Sequence, residues 1–233
     1  MKDNAKFIKK IYSSKELNEI EYKLKCLGPD TKYNTTSFAF TRLVTTILVF
    51  FLTILITDMG YIYAPFVAVG YYYLFYYINI TKKLSMRNRK LEHQALYFFE
   101  ILTLTLESGR NLENALIVTC DNVDSELSRE FKQALDEMKF GKSLIEALSD
   151  LKNHISSDII NNIILNIIQT NRFGNSILDT LYNEVDFLRQ KELLTVKEQI
   201  NKIPNKVSIV SVLFIVPLII VLILGPYLIE FIS

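Results

Sequence analysis

The chain has 233 residues, half of them apolar, with a positive mean hydropathy and a formal net charge of +1. That length allows one or two modest domains, the balanced charge gives no reason to expect a nucleic-acid partner, and the apolar content is high for a soluble protein and points to membrane segments. Two cysteines, Cys26 and Cys120, lack CxxC spacing and support neither a disulfide framework nor a zinc site; they read as reduced thiols in a cytosolic setting.

Ser13 and Glu16 form a candidate capping box at the start of the first helix. Leu17, Ile20, Leu24 and Leu27 follow at helical spacing, and Gly28 and Pro29 end the pattern. Lysines beside this stripe let the helix either lie on a membrane surface or dock on a cytosolic bundle.

Three apolar runs are candidate membrane spans. Leu43–Thr57 grows to about 20 residues, the length of a crossing, when Phe38–Arg42 are added. Arg42 then sits near one end, where its stem can snorkel to the interface. Tyr61–Ile80 is uncharged, and Val207–Phe231 is uncharged until Glu230. Three such runs are hard to bury in a soluble core of this size. The first starts too late for a signal peptide and is preceded by nine Lys and Arg. The second holds seven of the thirteen tyrosines, including Tyr71–Tyr77 "YYYLFYY". Tyr71–Tyr73 lie deeper than an interface belt, so their hydroxyls call for partners on neighbouring helices; a helix-packing surface is the main reading and a substrate path the alternative.

Basic residues set the orientation. They precede residue 43, are absent from Asp58–Gly60, and return as Lys82, Lys83, Arg87, Arg89 and Lys90. Lys197, Lys202 and Lys206 precede the third run and none follows it. The expected organisation is a cytosolic amphipathic segment over 1–37, a two-span hairpin over 38–80, a cytosolic helical bundle over 81–206, and a third span over 207–233 with its C-terminus outside.

The 81–206 segment carries 17 basic and 18 acidic residues and reads as helical throughout. Leu91, Ala95, Phe98, Phe99, Leu102 and Leu106 make one stripe; Leu127, Phe131, Ala134, Leu135 and Met138 make a second. Ile160, Ile163, Ile164, Ile167 and Ile168, flanked by Ile159 and Leu165, make a wider one that predicts a central helix. Leu178, Leu181, Val185 and Leu188 lead towards Ile200 and Ile203, and Pro204 predicts a bend or restart before the last run.

One corner recurs three times, as "SGRNLENAL" (Ser108–Leu116), "FGKSLIEAL" (Phe140–Leu148) and "FGNSILDTL" (Phe173–Leu181), with Gly109, Gly141 and Gly174 spaced 32 and 33 residues apart. A glycine just past a helix takes the left-handed conformation that closes the last turn. Two residues on, Asn111, Ser143 and Ser176 suit the next N-cap, with Glu146 and Asp179 three residues later. The spacing is near that of helical solenoids, but no ankyrin or tetratricopeptide signature is present. The helices between corners differ in length and polarity. The fold class expected is therefore all-α: three transmembrane helices and one cytosolic bundle of about six helices.

These corners ahead of a terminal apolar run resemble the F domain of type II secretion systems, found in the inner-membrane platform proteins of type II secretion, type IV pilus, tight-adherence (Tad) pilus and archaellum machines. Glu107, Gly109, Leu112, Ala115 and Leu116 match the first family motif, Gly141, Ser143, Leu144, Ala147 and Leu148 the second, and Asn171, Arg172, Phe173 and Gly174 the third, where Ile177 and Thr180 replace the usual Leu and Ala. The resemblance covers roughly residues 91 to 225. Leu24, Leu27, Gly28, Phe38 and Arg42 also resemble the lead-in of Tad members. Type II secretion and type IV pilus members usually carry two F domains; the single one here favours the Tad-like branch, in which two related single-domain proteins work together.

The resemblance implies a non-enzymatic, multi-pass protein of a bacterial or archaeal cytoplasmic membrane, with its N-terminus cytosolic. Its implied partners are a cytosolic secretion ATPase, a second F-domain protein (self or paralogue), pilin-like subunits and membrane lipids, with no nucleic acid. No P-loop, dinucleotide fingerprint or HExxH motif is present, so no catalytic residue, cofactor or metal is expected. His93 and His154 read as helix-surface or loop residues. Glu107, Arg110 and Arg172 are candidate partner contacts or local salt bridges and caps. Phe140 and Phe173 are candidate partner contacts or fill their own core. The alternative function is a membrane-anchored scaffold or transporter accessory subunit unrelated to pili.

Overall fold

Helices account for the structure from Ser14 onward. The computed structural model describes residues 8, 12–28, 34–57, 60–173 and 176–232, and no strand occurs among them. The chain divides into two units, Met1–Val185 and Asp186–Ser233, each described separately.

The first unit opens with α1, Ser14–Lys25, whose Ser13 amide donates to Glu16 Oε2 at 3.3 Å. Ile20 and Leu24 are buried in a cluster with Ile8, Tyr12, Phe38, Ala39 and Ile80. The α1 stripe therefore packs on the base of the helical hairpin that follows, an apolar seat that neither sequence expectation named. Phe38, Ala39 and Ile80 form that seat.

The hairpin is α2, Thr35–Ile56, packed along α3, Gly60–Tyr76. Among the described residues α2 is the one helix long and apolar enough to cross a membrane, and only 11% of its most apolar window is buried. Thr41, Thr45, Thr46 and Thr53 each donate Oγ1 to the carbonyl four residues earlier, at 2.7–2.9 Å. Their hydroxyls are thus satisfied inside the helix, as a hydrocarbon environment requires. The second expected run divides into a 17-residue helix and a π-helical segment, Tyr77–Lys82, which leads without a break into α4, Lys83–Glu107.

Six helices from α4 build the rest of the unit: α4, then α5 (Leu112–Asn122), α6 (Glu126–Met138), α7 (Leu144–Leu151), α8 (Asp158–Phe173) and the start of α9 (Ile177–Ile232). The α4 stripe is buried from Leu91 to Leu106. Phe98 stacks on Phe131 of α6 with centroids 4.7 Å apart, and Phe99 meets both rings edge-on. Such ring pairs contribute about 0.5–1.5 kcal/mol each beyond area burial. Helix α8 buries one face, Ile160, Ile163, Ile164, Ile167 and Thr170, while Leu165 is exposed. Asn162, Leu165 and Gln169 are exposed, so the buried face is narrower than the isoleucine run suggested.

In the second unit α9 continues to Ile232 and runs through Pro204, where a bend or restart was expected. The helix therefore does not restart at Pro204, though the proline removes one amide donor there and favours a kink. Val210–Ile223 forms a shorter apolar stretch with exposed Leu213, Phe214, Leu218 and Val221.

Candidate functional site

The corners are built by local chemistry. Gly109 has φ +84° and Gly141 φ +97°, the left-handed region where a Cβ is strained. Gly109 N–H donates to Leu106 O and Gly141 N–H to Met138 O, both at 2.9 Å. Asn111 Oδ1 then accepts from Asn114 N at 2.9 Å. Ser143 and Glu146 exchange bonds in a capping box, and Ser176 Oγ accepts from Asp179 N at 3.3 Å. Gly174 lies outside the described residues. A further positive-φ glycine, Gly28 at +90°, closes α1.

The corners do not share one place. Glu107, at the end of α4, accepts a hydrogen bond from Tyr182 of α9, which ties the first corner to the third. The α8–α9 turn is held by Thr170 against Thr180 at 3.0 Å and by Asn166 donating to Glu184 at 2.6 Å. The second corner instead borders an open cleft of about 510 Å³ against α1, walled by Tyr22, Lys25, Glu137, Lys142, Asp150 and His154. Lys142 there pairs with Glu137 and Asp150, which raises its pKa.

The proposed contact residues are all exposed. Phe140 is 90% exposed and Phe173 72%, so neither fills a core in this chain. Arg110 and Arg172 are exposed and form no ion pair among the described residues, while Glu107 has the Tyr182 bond just described.

The sequence reading missed a buried joint centred on Arg87, which was counted only as a topology-setting charge. Arg87 is 7% exposed and stands one turn after the π-helical segment. Its Nε donates to Glu126 Oε1 at 2.7 Å, Nη2 to Glu130, and Nη1 to Cys26 O and, at 3.3 Å, to His154 O. Lys90 adds a 3.0 Å contact to Glu126. Burial raises the Glu126 pKa, but Arg87 and Lys90 outweigh it and hold the carboxyl below its ordinary value. Nearby, Ser157 donates to Glu92 at 2.7 Å and Asn88 to Ser156 at 3.1 Å. One arginine thus ties the end of α1, α4, α6 and the α7–α8 loop. The signal that was present is the acid pair Glu126 and Glu130, one turn apart on α6.

Both thiols are buried. Burial and Asp121 push Cys120 up to about 12, and burial raises Cys26 despite the neighbouring Arg87. Among the described residues no three His, Cys, Asp or Glu side chains gather as a metal site.

The family profile described as Type II secretion system (T2SS), protein F matches residues 98–225, more than half of the chain, and spans all three corners. The chain belongs to the type II secretion system protein F family. F-family proteins are inner-membrane platform proteins, generally non-enzymatic, that work with a cytosolic ATPase and pilins. No curated protein and no solved structure matches the chain. The F-family match begins within α4, downstream of Arg87. The joint therefore fastens the matched region, through Glu126, Glu130 and His154, to the α1 segment that precedes it.

Proposed function

We propose that this F-family chain is the platform of a Tad-type or type IV-like pilus, or of a type II secretion-like machine, and couples a cytosolic secretion ATPase to assembly of a pilin-like filament. It does so without enzymatic chemistry of its own. The reading places residues 1–37 and 81–206 in the cytosol, a two-span hairpin over 38–80, a third span over 207–233, and the C-terminus outside. Its bundle works beside a second F domain, from another copy or from a paralogue.

The observation that supports it is the F-family match over the corners, joined by an unbroken helical path from α3 through Tyr77–Lys82 to α4. Movement delivered to the bundle reaches the apolar hairpin along that path. π-Helical turns occur often at functional sites, and this one lies where the bundle meets the hairpin. The test is affinity capture of the full chain from mildly solubilised membranes, followed by mass spectrometry. Recovery of an ATPase and prepilin-like proteins is the expected result. Their absence, with filaments intact in a strain lacking the chain, overturns the reading.

A further inference from the structure

The chain buries two arginines, and it treats them differently. Arg87 has two carboxylates. Arg42 is 6% exposed, and no carboxylate lies within 4 Å of it among the described residues. Its Nε donates to Tyr72 O at 3.2 Å, and its guanidinium lies 3.5 Å from the Tyr72 ring centroid and 4.9 Å from that of Tyr76. The side chain lies against α3, where the tyrosine faces attract it. Those rings attract the cation but do not neutralise it. Buried charges ordinarily have a counter-ion.

The terminal nitrogens of Arg42 donate no hydrogen bond among the described residues. Lys23 of α1 is the second cation here: its Nζ is 5.4 Å from the Tyr76 centroid and donates to Tyr76 Oη at 3.1 Å. It also pairs with Glu19 at 2.6 Å. Tyr72 donates to Tyr12 Oη at 3.1 Å.

We propose that Arg42, with Lys23 held on the same Tyr76 side chain, binds the phosphate of an anionic phospholipid headgroup. The planar guanidinium fork suits a phosphate. The uncharged run begins at Leu43, so on the membrane reading Arg42 stands where hydrocarbon meets headgroups. Farther along both helices the surface is apolar: α2 exposes Leu48 and Leu52, α3 exposes Val69 and Phe66. That surface accepts an acyl chain, which favours a lipid over free phosphate. The bound lipid supplies the missing anion and fastens α1 to the hairpin base.

The inference rests on the membrane-platform reading, so extraction is measured first. Recovery of wild-type chain in the soluble fraction defeats that reading. For chain that needs detergent, the full-length protein is titrated with phosphatidylglycerol, with diacylglycerol and with inorganic phosphate, and bound species are counted by native mass spectrometry. Wild type is expected to retain phosphatidylglycerol and neither of the others. Arg42→Gln is expected to weaken retention about tenfold, the loss of a charge-assisted pair, with Arg42→Lys in between. Should Arg42→Gln lose its far-UV helicity, Lys23→Gln carries the test, with about threefold weakening expected. Equal retention by folded variants and wild type overturns the proposal. So does equal competition by inorganic phosphate, which marks a free-phosphate site, or loss of a captured protein from Arg42→Gln with lipid retention unchanged, which marks a partner's carboxylate.

Discussion

Arg87 donates from Nε to Glu126 Oε1 at 2.7 Å while its Nη2 reaches Glu130, so one buried cation holds two carboxylates a helical turn apart on α6. Glu130 is 6% exposed. Removing the arginine alone strands that charge; replacing the pair with apolar side chains removes the demand. Arg87→Met is expected to destabilise the full chain by about 3–5 kcal/mol, and Arg87→Met with Glu130→Leu to recover most of it. Urea unfolding in detergent, followed by far-UV circular dichroism, reads both. A double variant no more stable than the single one contradicts a joint held by charge.

Acid should loosen the same joint. The Glu126 carboxyl is held below its ordinary value by Arg87 and Lys90 against an opposing effect of burial. A carboxyl depressed in the folded state adds stability that is complete above its unfolded value, about 4.3, and is lost as pH falls through the lowered folded value. Thermal melts from pH 6 to pH 3 are expected to show this loss, and Glu126→Gln to show a shallower one. Identical slopes for the two proteins count against it.

Two kinds of glycine corner are distinguishable. At Gly109 and Gly141 an added Cβ meets nothing within 4 Å, so only backbone strain opposes substitution. At Gly28 the same atom approaches Arg87 Nη2 at 3.1 Å, on top of a φ of +90°. Gly109→Val and Gly141→Val are each expected to cost about 1–3 kcal/mol, and the Asn versions less. Gly28→Ala should cost more than Gly109→Ala because it also disturbs the joint. Melting of these variants against wild type decides the order.

These comparisons separate what was legible from what was not. The α4 and α6 stripes and the Asn111, Ser143 and Ser176 caps are short-range patterns, written within four residues. The Arg87 joint draws on residues 26, 126, 130 and 154, whose proximity only the fold creates. The contacts of Arg42 are not legible for a related reason: its partners, Tyr72 and Tyr76, lie a hairpin away. The tyrosine run did signal helix contacts, and Tyr72 and Tyr76 find them with Tyr12 and Lys23, while Tyr61, Tyr63, Tyr73 and Tyr77 are exposed.

The proposed topology predicts which cysteines an impermeant thiol reagent reaches. Gly60, the first residue of α3, is a poor probe, because a Cβ there falls 2.6 Å from Ile54 Cα and Thr53 O. Tyr61 is exposed and adjacent. In a background without Cys26 and Cys120, Tyr61→Cys should label from outside intact cells, and Ser149→Cys should label only after lysis. Labelling of Ser149→Cys in intact cells reverses the orientation.

The final prediction concerns pairing. A side chain as exposed as Phe140 contributes little to folding, so Phe140→Ser should change stability by no more than about 0.5 kcal/mol. An aromatic anchor at a protein interface behaves differently: its truncation costs about 2 kcal/mol or more of binding. Phe140 lines an open groove with Gly141, Ile145, Glu146 and Ser149. If the F domain works beside a second one, the mass of the solubilised chain, by light scattering corrected for bound detergent, should exceed 27.0 kDa alone or with its paralogue co-expressed. Phe140→Ser, or Phe173→Ser at the third corner, should return it towards the single-chain value with an unchanged melt. A single-chain mass for wild type under both conditions, with filaments still assembled, removes the paired platform. A paired mass that neither substitution lowers keeps the pairing but moves its contact away from these two rings.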